Sequence, residues 1–251
     1  MINTHRKIMP KTGTVKLLKH FQQSWQSQGI DVGRDSLNTI LRTHNLLIRK
    51  RRRSIPKTTN SFHSFRRYSD LINANKNEFI KPNQVWVSDI TYIPIEGPNK
   101  WCYLFLITDM VSKKIVGYYL SGNMSTKSAI NALSMAIETN RKNLDCLIHH
   151  SDRGIQYCSE SYVSMLEKNN IQISMTQSGN PYDNAVAERI NGILKHELIY
   201  PFGKIYSVEQ ARERTKKAIY TYNNLRTHMG VNFLTPTVAH QKDKQTIKIN
   251  L

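Results

Sequence analysis

Acidic residues are scarce in this chain: 18 Asp and Glu face 36 Lys and Arg, leaving a formal charge of +18 over 251 residues. That imbalance excludes a neutral solvated surface. It implies a polyanionic partner, nucleic acid first, because neutralising phosphates gathers many cations on one molecule. Long apolar runs are missing as well. The longest, Trp101–Ile107, falls far short of the roughly 20 residues of a spanning helix. Met1–Lys19 is basic without a signal-type apolar stretch, so no membrane partner is expected and the location expected is cytoplasmic. The three cysteines, Cys102, Cys146 and Cys158, are odd in number and lack C-x-x-C spacing. This excludes a disulfide framework or a zinc knuckle and reads as reduced cytosolic thiols. With 39% apolar and 22% charged residues, enough remains to build a core of one large domain or two modest ones.

The charge is concentrated. Residues 1–70 carry 15 Lys/Arg against three Asp, whereas 71–251 carry 21 basic and 15 acidic residues. Val15, Leu17, Leu18, Phe21 and Trp25 recur at helical spacing between Thr12 and Ser27, with Gly29 as the stop. A second stripe, Leu37, Ile40 and Leu41, has Arg34, Asn38 and Arg42 on its other face. Two short helices with a basic, amide-bearing face suit a helix-turn-helix reader of DNA. The run Arg49, Lys50, Arg51, Arg52 and Arg53 can neutralise phosphates in any sequence context, an element of affinity and not of specificity. The organisation expected is a small all-α, helix-turn-helix-like region over 1–50, a basic linker over 51–79, a core over 80–240 and a tail over 241–251.

The core alternates strands and helices. Gln84–Pro94, Trp101–Met110 and Lys114–Leu120 are β-branched and aromatic runs with short punctuation, the pattern of an antiparallel meander. Ser125–Asn140 reads as a helix, Leu144–His150 as a strand, Ser159–Asn169 as a helix and Ile171–Ser174 as a strand. A helix from Asp183 to Leu198 follows, with Asn180 and Pro181 as its cap and first residue. Ser207-Val-Glu-Gln210 opens a last long helix with a capping box. This order is that of an α/β, ribonuclease-H-like fold.

Three acids stand out. Asp89 lies inside the first strand, where Asp is depleted and an unpaired carboxylate is costly. Asp152 follows the fourth strand, and Glu188 sits on the helix after the fifth. If the first and fourth strands pair, the two aspartates meet and the helix carries Glu188 over them. Converging carboxylates call for a hard divalent cation, Mg²⁺ or Mn²⁺, held as a pair for in-line displacement at phosphorus. His149 and His150 point to opposite faces of a strand and cannot share one ion. Arg153, Gln156 and Tyr157 are candidate DNA contacts, Asp183 a helix-start residue, and Asp109 a strand-end decoy.

The segments Val85-Trp-Val-Ser-Asp-Ile-Thr-Tyr-Ile93, His150-Ser-Asp-Arg-Gly-Ile-Gln-Tyr157 and Asp183-Asn-Ala-Val-Ala-Glu188 closely resemble DDE transposases, the OrfB proteins of IS-three type insertion sequences and relatives of retroviral integrases. The resemblance places the family's acids on Asp89, Asp152 and Glu188, with the characteristic 35 residues between the last two. It also places a basic residue seven positions on, at Lys195, which at i and i+7 on a helix shares a face with Glu188. The closing signature Tyr222-Asn-Asn-Leu-Arg226, His228 and Pro236 matches too. The resemblance implies an integrase-type catalytic core and metal-dependent cleavage with 3′-hydroxyl strand transfer. It further implies double-stranded DNA as partner (terminal inverted repeats and target), a homo-oligomer on DNA, and fusion to an upstream reading frame. An integrase-fold nuclease or a non-transposing DNA-binding derivative is the alternative.

Overall fold

The structure is a computed structural model that describes residues 1–48, 65–73, 78–98, 100–141, 144–177 and 184–242. The cations at Arg49, Lys50, Arg51, Arg52 and Arg53, most of the 51–79 linker, the expected helix start at Asn180, Pro181 and Asp183, and nearly all of the tail lie outside these residues.

Three helices lead: α1 (Ile2–Ile8), α2 (Thr14–Gln26) and α3 (Arg34–Thr43). The α2 stripe forms, but its buried line is Leu17, Phe21 and Trp25, which pack on Leu37 and Leu41 of α3. Successive fourth residues share one narrow face, so Val15 and Ile40, off that line, are exposed. Helix α1 buries no residue and therefore leaves no periodic signal in the sequence. Gly29 takes φ +72° after α2, a left-handed conformation that favours glycine.

The meander is β1 (Val85–Pro94), β2 (Trp101–Asp109) and β3 (Ile115–Ser121), followed by β4 (Ile148–Ser151) and β5 (Gln172–Met175). The sheet runs β3-β2-β1-β4-β5, with β1–β2 and β2–β3 antiparallel and β1–β4 and β4–β5 parallel. Alternation along β2 builds both faces. Cys102, Leu104 and Leu106 join Ile190, Ile193, Leu198 and Ile219 in one cluster, while Phe105 and Ile107 join Leu133, Ala136, Tyr162 and Leu166 in another. Helices α4 (Thr126–Asn140), α5 (Ile155–Cys158) and α6 (Glu160–Lys168) cover the second face; α7 (Ala185–Ile193) and α8 (Val208–Asn224) cover the first, and α9 (Pro236–Gln241) closes the chain. Gly117 lets α4 approach β3: a Cβ there would run into the carbonyl of Ala132 and lie 2.7 Å from Ala136 Cβ.

The expected helix Asp183–Leu198 is α only to Ile193. It then widens into a π-type turn over Leu194–Ile199. The capping box at Ser207 forms with a variation: Ser207 Oγ accepts from Gln210 N at 3.1 Å, while Gln210 Oε1 reaches one residue further back, to Tyr206 N at 2.7 Å. The closing signature is a fastening. Tyr222 donates to Lys113 O at 2.9 Å, and Asn223 pairs with both N and O of Ile115, replacing a neighbouring strand along β3. Among the described residues no helix is long and apolar enough to cross a membrane.

Candidate active site

Pairing of β1 with β4 sets Trp86 beside His149 and Val87 beside His150. Carried onward along both chains, that register brings Asp89 level with Asp152. The ladder ends before them, so the two carboxylates sit where the sheet splits open. Helix α7 packs over this point through Ala187, against Val85 and Val87. Its start is anchored by Asn184, whose amide donates to Ser88 O at 2.8 Å. Glu188 lies in its first turn.

The two aspartates are aimed by backbone and amide donors. Asp89 Oδ1 accepts from Ile90 N at 2.9 Å and Oδ2 from Asn191 Nδ2 at 2.7 Å. Asp152 Oδ1 accepts from Gly154 N at 3.0 Å. Asp89 is pushed up to about 7, first by burial and then by Asp152, with a smaller push from Glu188; its bonds to Asn191 and Ile90 pull the other way. Burial raises Glu188 as well. Among the described residues the two charges that act on Asp89, those of Asp152 and Glu188, are both negative.

No three His, Cys, Asp or Glu among the described residues are already drawn together as a metal cage. The donor set still fits a hard divalent ion. It is all oxygen, two of its members are already oriented, and the repulsion that raises Asp89 is what a cation removes.

The other candidates divide clearly. His149 is buried, with Nε2 2.6 Å from Ser88 Oγ and 3.0 Å from the Tyr162 hydroxyl, and burial lowers it to about 3. His150 Nδ1 lies 2.8 Å from Ser174 Oγ. His149 ties the sheet to helix α6, and His150 ties β4 to β5. Gln156 and Tyr157, expected at the DNA, are instead buried, Gln156 donating to Met124 O at 3.1 Å. The short helix α5 turns them inward. Arg153 stays half-buried beside Asp152. Lys195 falls inside the π-type turn. On α3, Arg34 and Arg42 are exposed, Arg34 2.9 Å from Asp35, and Asn38 accepts from Thr14 Oγ1 at 3.2 Å. Asp109, the decoy, is fully buried and structural, accepting from Ser112 N and Oγ at 2.7 Å and from Asn83 N at 2.6 Å.

Asn184 and Asn191 carry the site yet went unread in the sequence. The available signal was Asn191 standing three residues after Glu188, the helical spacing that shares a face.

Residues 80–181 and 169–236 match two models of the integrase core domain. A 31 kDa protein of insertion element IS600 from Shigella sonnei is 34% identical over 228 residues, 90% of this chain and 82% of that protein. The transposase of IS904 from Lactococcus lactis is 37% identical over 62% of this chain and 60% of its own length. The transposase InsF of IS3A from Escherichia coli is 34% identical over 64% and 55%, so the chain spans little more than half of these two relatives. Among solved structures, the HTLV-2 integrase catalytic core with magnesium superposes with a TM-score of 0.51 at 20% identity, over 64% of this chain and 99% of that one. A simian T-cell lymphotropic virus intasome gives 0.56 at 19% identity, over 93% and 72%. Both share the ribonuclease-H-like fold. With its integrase core and a relative aligned over most of both lengths, the chain belongs to the DDE transposases of IS3-type insertion sequences.

Proposed function

We propose that Asp89, Asp152 and Glu188 are the catalytic acids of a transposition reaction: cleavage that frees a 3′-hydroxyl at the element end, then attack by that hydroxyl on a second phosphodiester. The observation that carries this reading is the Asp89 carboxylate, raised to about 7 by burial and by two neighbouring acids. These three acids would hold Mg²⁺ or Mn²⁺, probe ions of the hard divalent class, which would supply Lewis-acid charge to an in-line displacement at phosphorus.

The chain's own part is to place those acids and keep other nucleophiles out. Asn191 and Ile90 N–H fix both oxygens of Asp89, Gly154 N–H fixes one oxygen of Asp152, and Asn184 holds the helix of Glu188 against β1. The nearby hydroxyls are withheld. Ser151 is buried and donates to Asp152 O at 3.0 Å, and burial lifts Tyr157 well above the usual phenol range. Among the described residues neither is bonded to a base that would activate it, and the nucleophile comes from outside the protein, water first and the DNA 3′-hydroxyl second. Double-stranded DNA is the partner, as terminal repeats and as target, and the enzyme works as a homo-oligomer on it in the cytoplasm. Arg34, Asn38, Arg42, Arg153, Lys195 and the run from Arg49 to Arg53 serve as DNA contacts, the first three in a helix-turn-helix-like region over 1–50. Fusion to an upstream reading frame belongs to the same proposal.

The test is a joining assay with a chiral phosphorothioate at the target phosphodiester. One direct displacement inverts phosphorus. Retention of configuration, or protein left crosslinked to DNA after denaturation, contradicts the reading; a nuclease would cleave and never join.

A further inference from the structure

Beyond the acids, the sheet continues as an overhang of β1 and β2, flanked by β3 as far as the Tyr103–Ser121 pair. The β1–β4 ladder stops at Val87 and His150, whereas β1–β2 pairing runs on to Pro94 and Trp101. This overhang carries aromatics on one face. Tyr92 pairs with Tyr103 in register, their rings edge-to-face at 5.2 Å, and Tyr92 meets Trp101 edge-to-face at 6.2 Å. The Tyr92 hydroxyl donates to Met124 Sδ at 3.6 Å.

Trp101 is 44% exposed and Met124 40%. Large apolar groups are seldom left in water as a contiguous patch without a function. Three residues of strand separate Asp89 from Tyr92, about 10 Å at the usual rise. Asp152 and Asp89 are also among the groups that raise the Tyr92 hydroxyl, after burial and Tyr103. Tyr92 points to the opposite face of β1 from Asp89, and the platform reaches the site round the sheet edge, through Met124, whose carbonyl accepts from Gln156 four residues after Asp152.

We propose that Tyr92, Trp101 and Tyr103, with Met124 beside them, are a stacking site for an unpaired nucleobase next to the scissile phosphate. This rests on the functional reading above, which brings DNA to the acids. A base inside a duplex has both faces covered by its neighbours and cannot use the platform; a base freed at a frayed end can, and aromatic stacking accepts any base. The site holds the terminal nucleotide of an opened strand while its phosphate lies at Asp89 and Asp152. It contributes no sequence readout.

Tryptophan emission reports on this directly. Of the three tryptophans, Trp25 and Trp86 are 9% and 0% exposed, so quenching by added DNA comes from Trp101. The full chain is titrated with d(T)12, with an abasic dodecamer of equal phosphate number, and with a blunt duplex lacking free bases. Quenching by d(T)12 alone is expected. Trp101→Phe should keep d(T)12 binding and lose the quench, and Trp101→Ala should weaken binding about tenfold, within the range for one stacked base. Trp101 ends a hairpin, so its truncation spares the core; circular dichroism of the variants checks this. Equal affinity for d(T)12 and the abasic strand, or unquenched emission with d(T)12 bound, overturns the stacking site. Neither result touches the acid site, which stands or falls on strand joining.

Discussion

Two groups of acids in this molecule meet opposite treatment. Glu197, in the π-type turn, is gripped by both ends of the Arg226 guanidinium at 2.8 and 3.0 Å, and Asp109 takes three donors in a closed turn. Asp89, Asp152 and Glu188 stand near one another, and the charges acting on Asp89 are of its own sign. An acid whose counter-charge is built into the fold is structural. Asp89, pressed by two acids of its own sign, is waiting for a cation from outside. Burial alone does not separate the groups, since Asp109 is the most buried of the five.

Substitution should split stability from activity in opposite directions at the two places. Asp152→Asn keeps an oxygen for Gly154 N–H and removes a repelling charge from Asp89. Strand joining should fall by about a thousandfold or more, the several kcal/mol that metal-assisted charge stabilisation supplies. The melting temperature in metal-free buffer should hold or rise. A joining rate near wild type would remove Asp152 from the site. Arg226→Met should do the reverse by stranding Glu197 beside the core. Breaking a buried pair costs about 3–5 kcal/mol, which for a chain of this size lowers the melting temperature by roughly 10 °C. An unshifted melting curve would show the pair to be incidental.

A pH series should sharpen the contrast. A carboxyl raised above its ordinary value binds a proton more tightly folded than unfolded. Metal-free stability should therefore decline as pH climbs from about 4 toward the folded value of about 7, then level off. Asp89→Asn should flatten that slope, and thermal unfolding between pH 5 and 8 measures both. The smallest effect belongs to Lys16, 3.9 Å from Glu197, where Arg226 already satisfies the carboxylate. Lys16→Met should change stability by less than about 1 kcal/mol, and a larger loss in urea unfolding would mean that the leader helices depend on this contact.

Much of this was legible in the sequence, for identifiable reasons. The strands alternate apolar residues across two buried faces, so the meander could be read within a residue or two. Asp89 stood out because a strand interior repels carboxylates, and the element order alone brought Asp152 beside it. The π-type turn after Ile193 could not be read, since its apolar residues Leu194, Leu198 and Ile199 suit an α-helix equally well. Tyr157 looked like a surface residue for a related reason: the four-residue helix that buries it is too short to show a period.

The central claim is that the three acids form one cation site. Titration of the metal-free chain with Mn²⁺ near pH 7, following bound metal and released protons together, tests it most directly. Saturable binding with proton release is expected, because Asp89 is partly protonated until the ion arrives. Asp89→Asn, Asp152→Asn and Glu188→Gln should each weaken binding at least about tenfold, and Asp89→Asn should abolish most of the proton release. Unchanged binding in all three variants, or binding without release of a proton in the wild type, would contradict it.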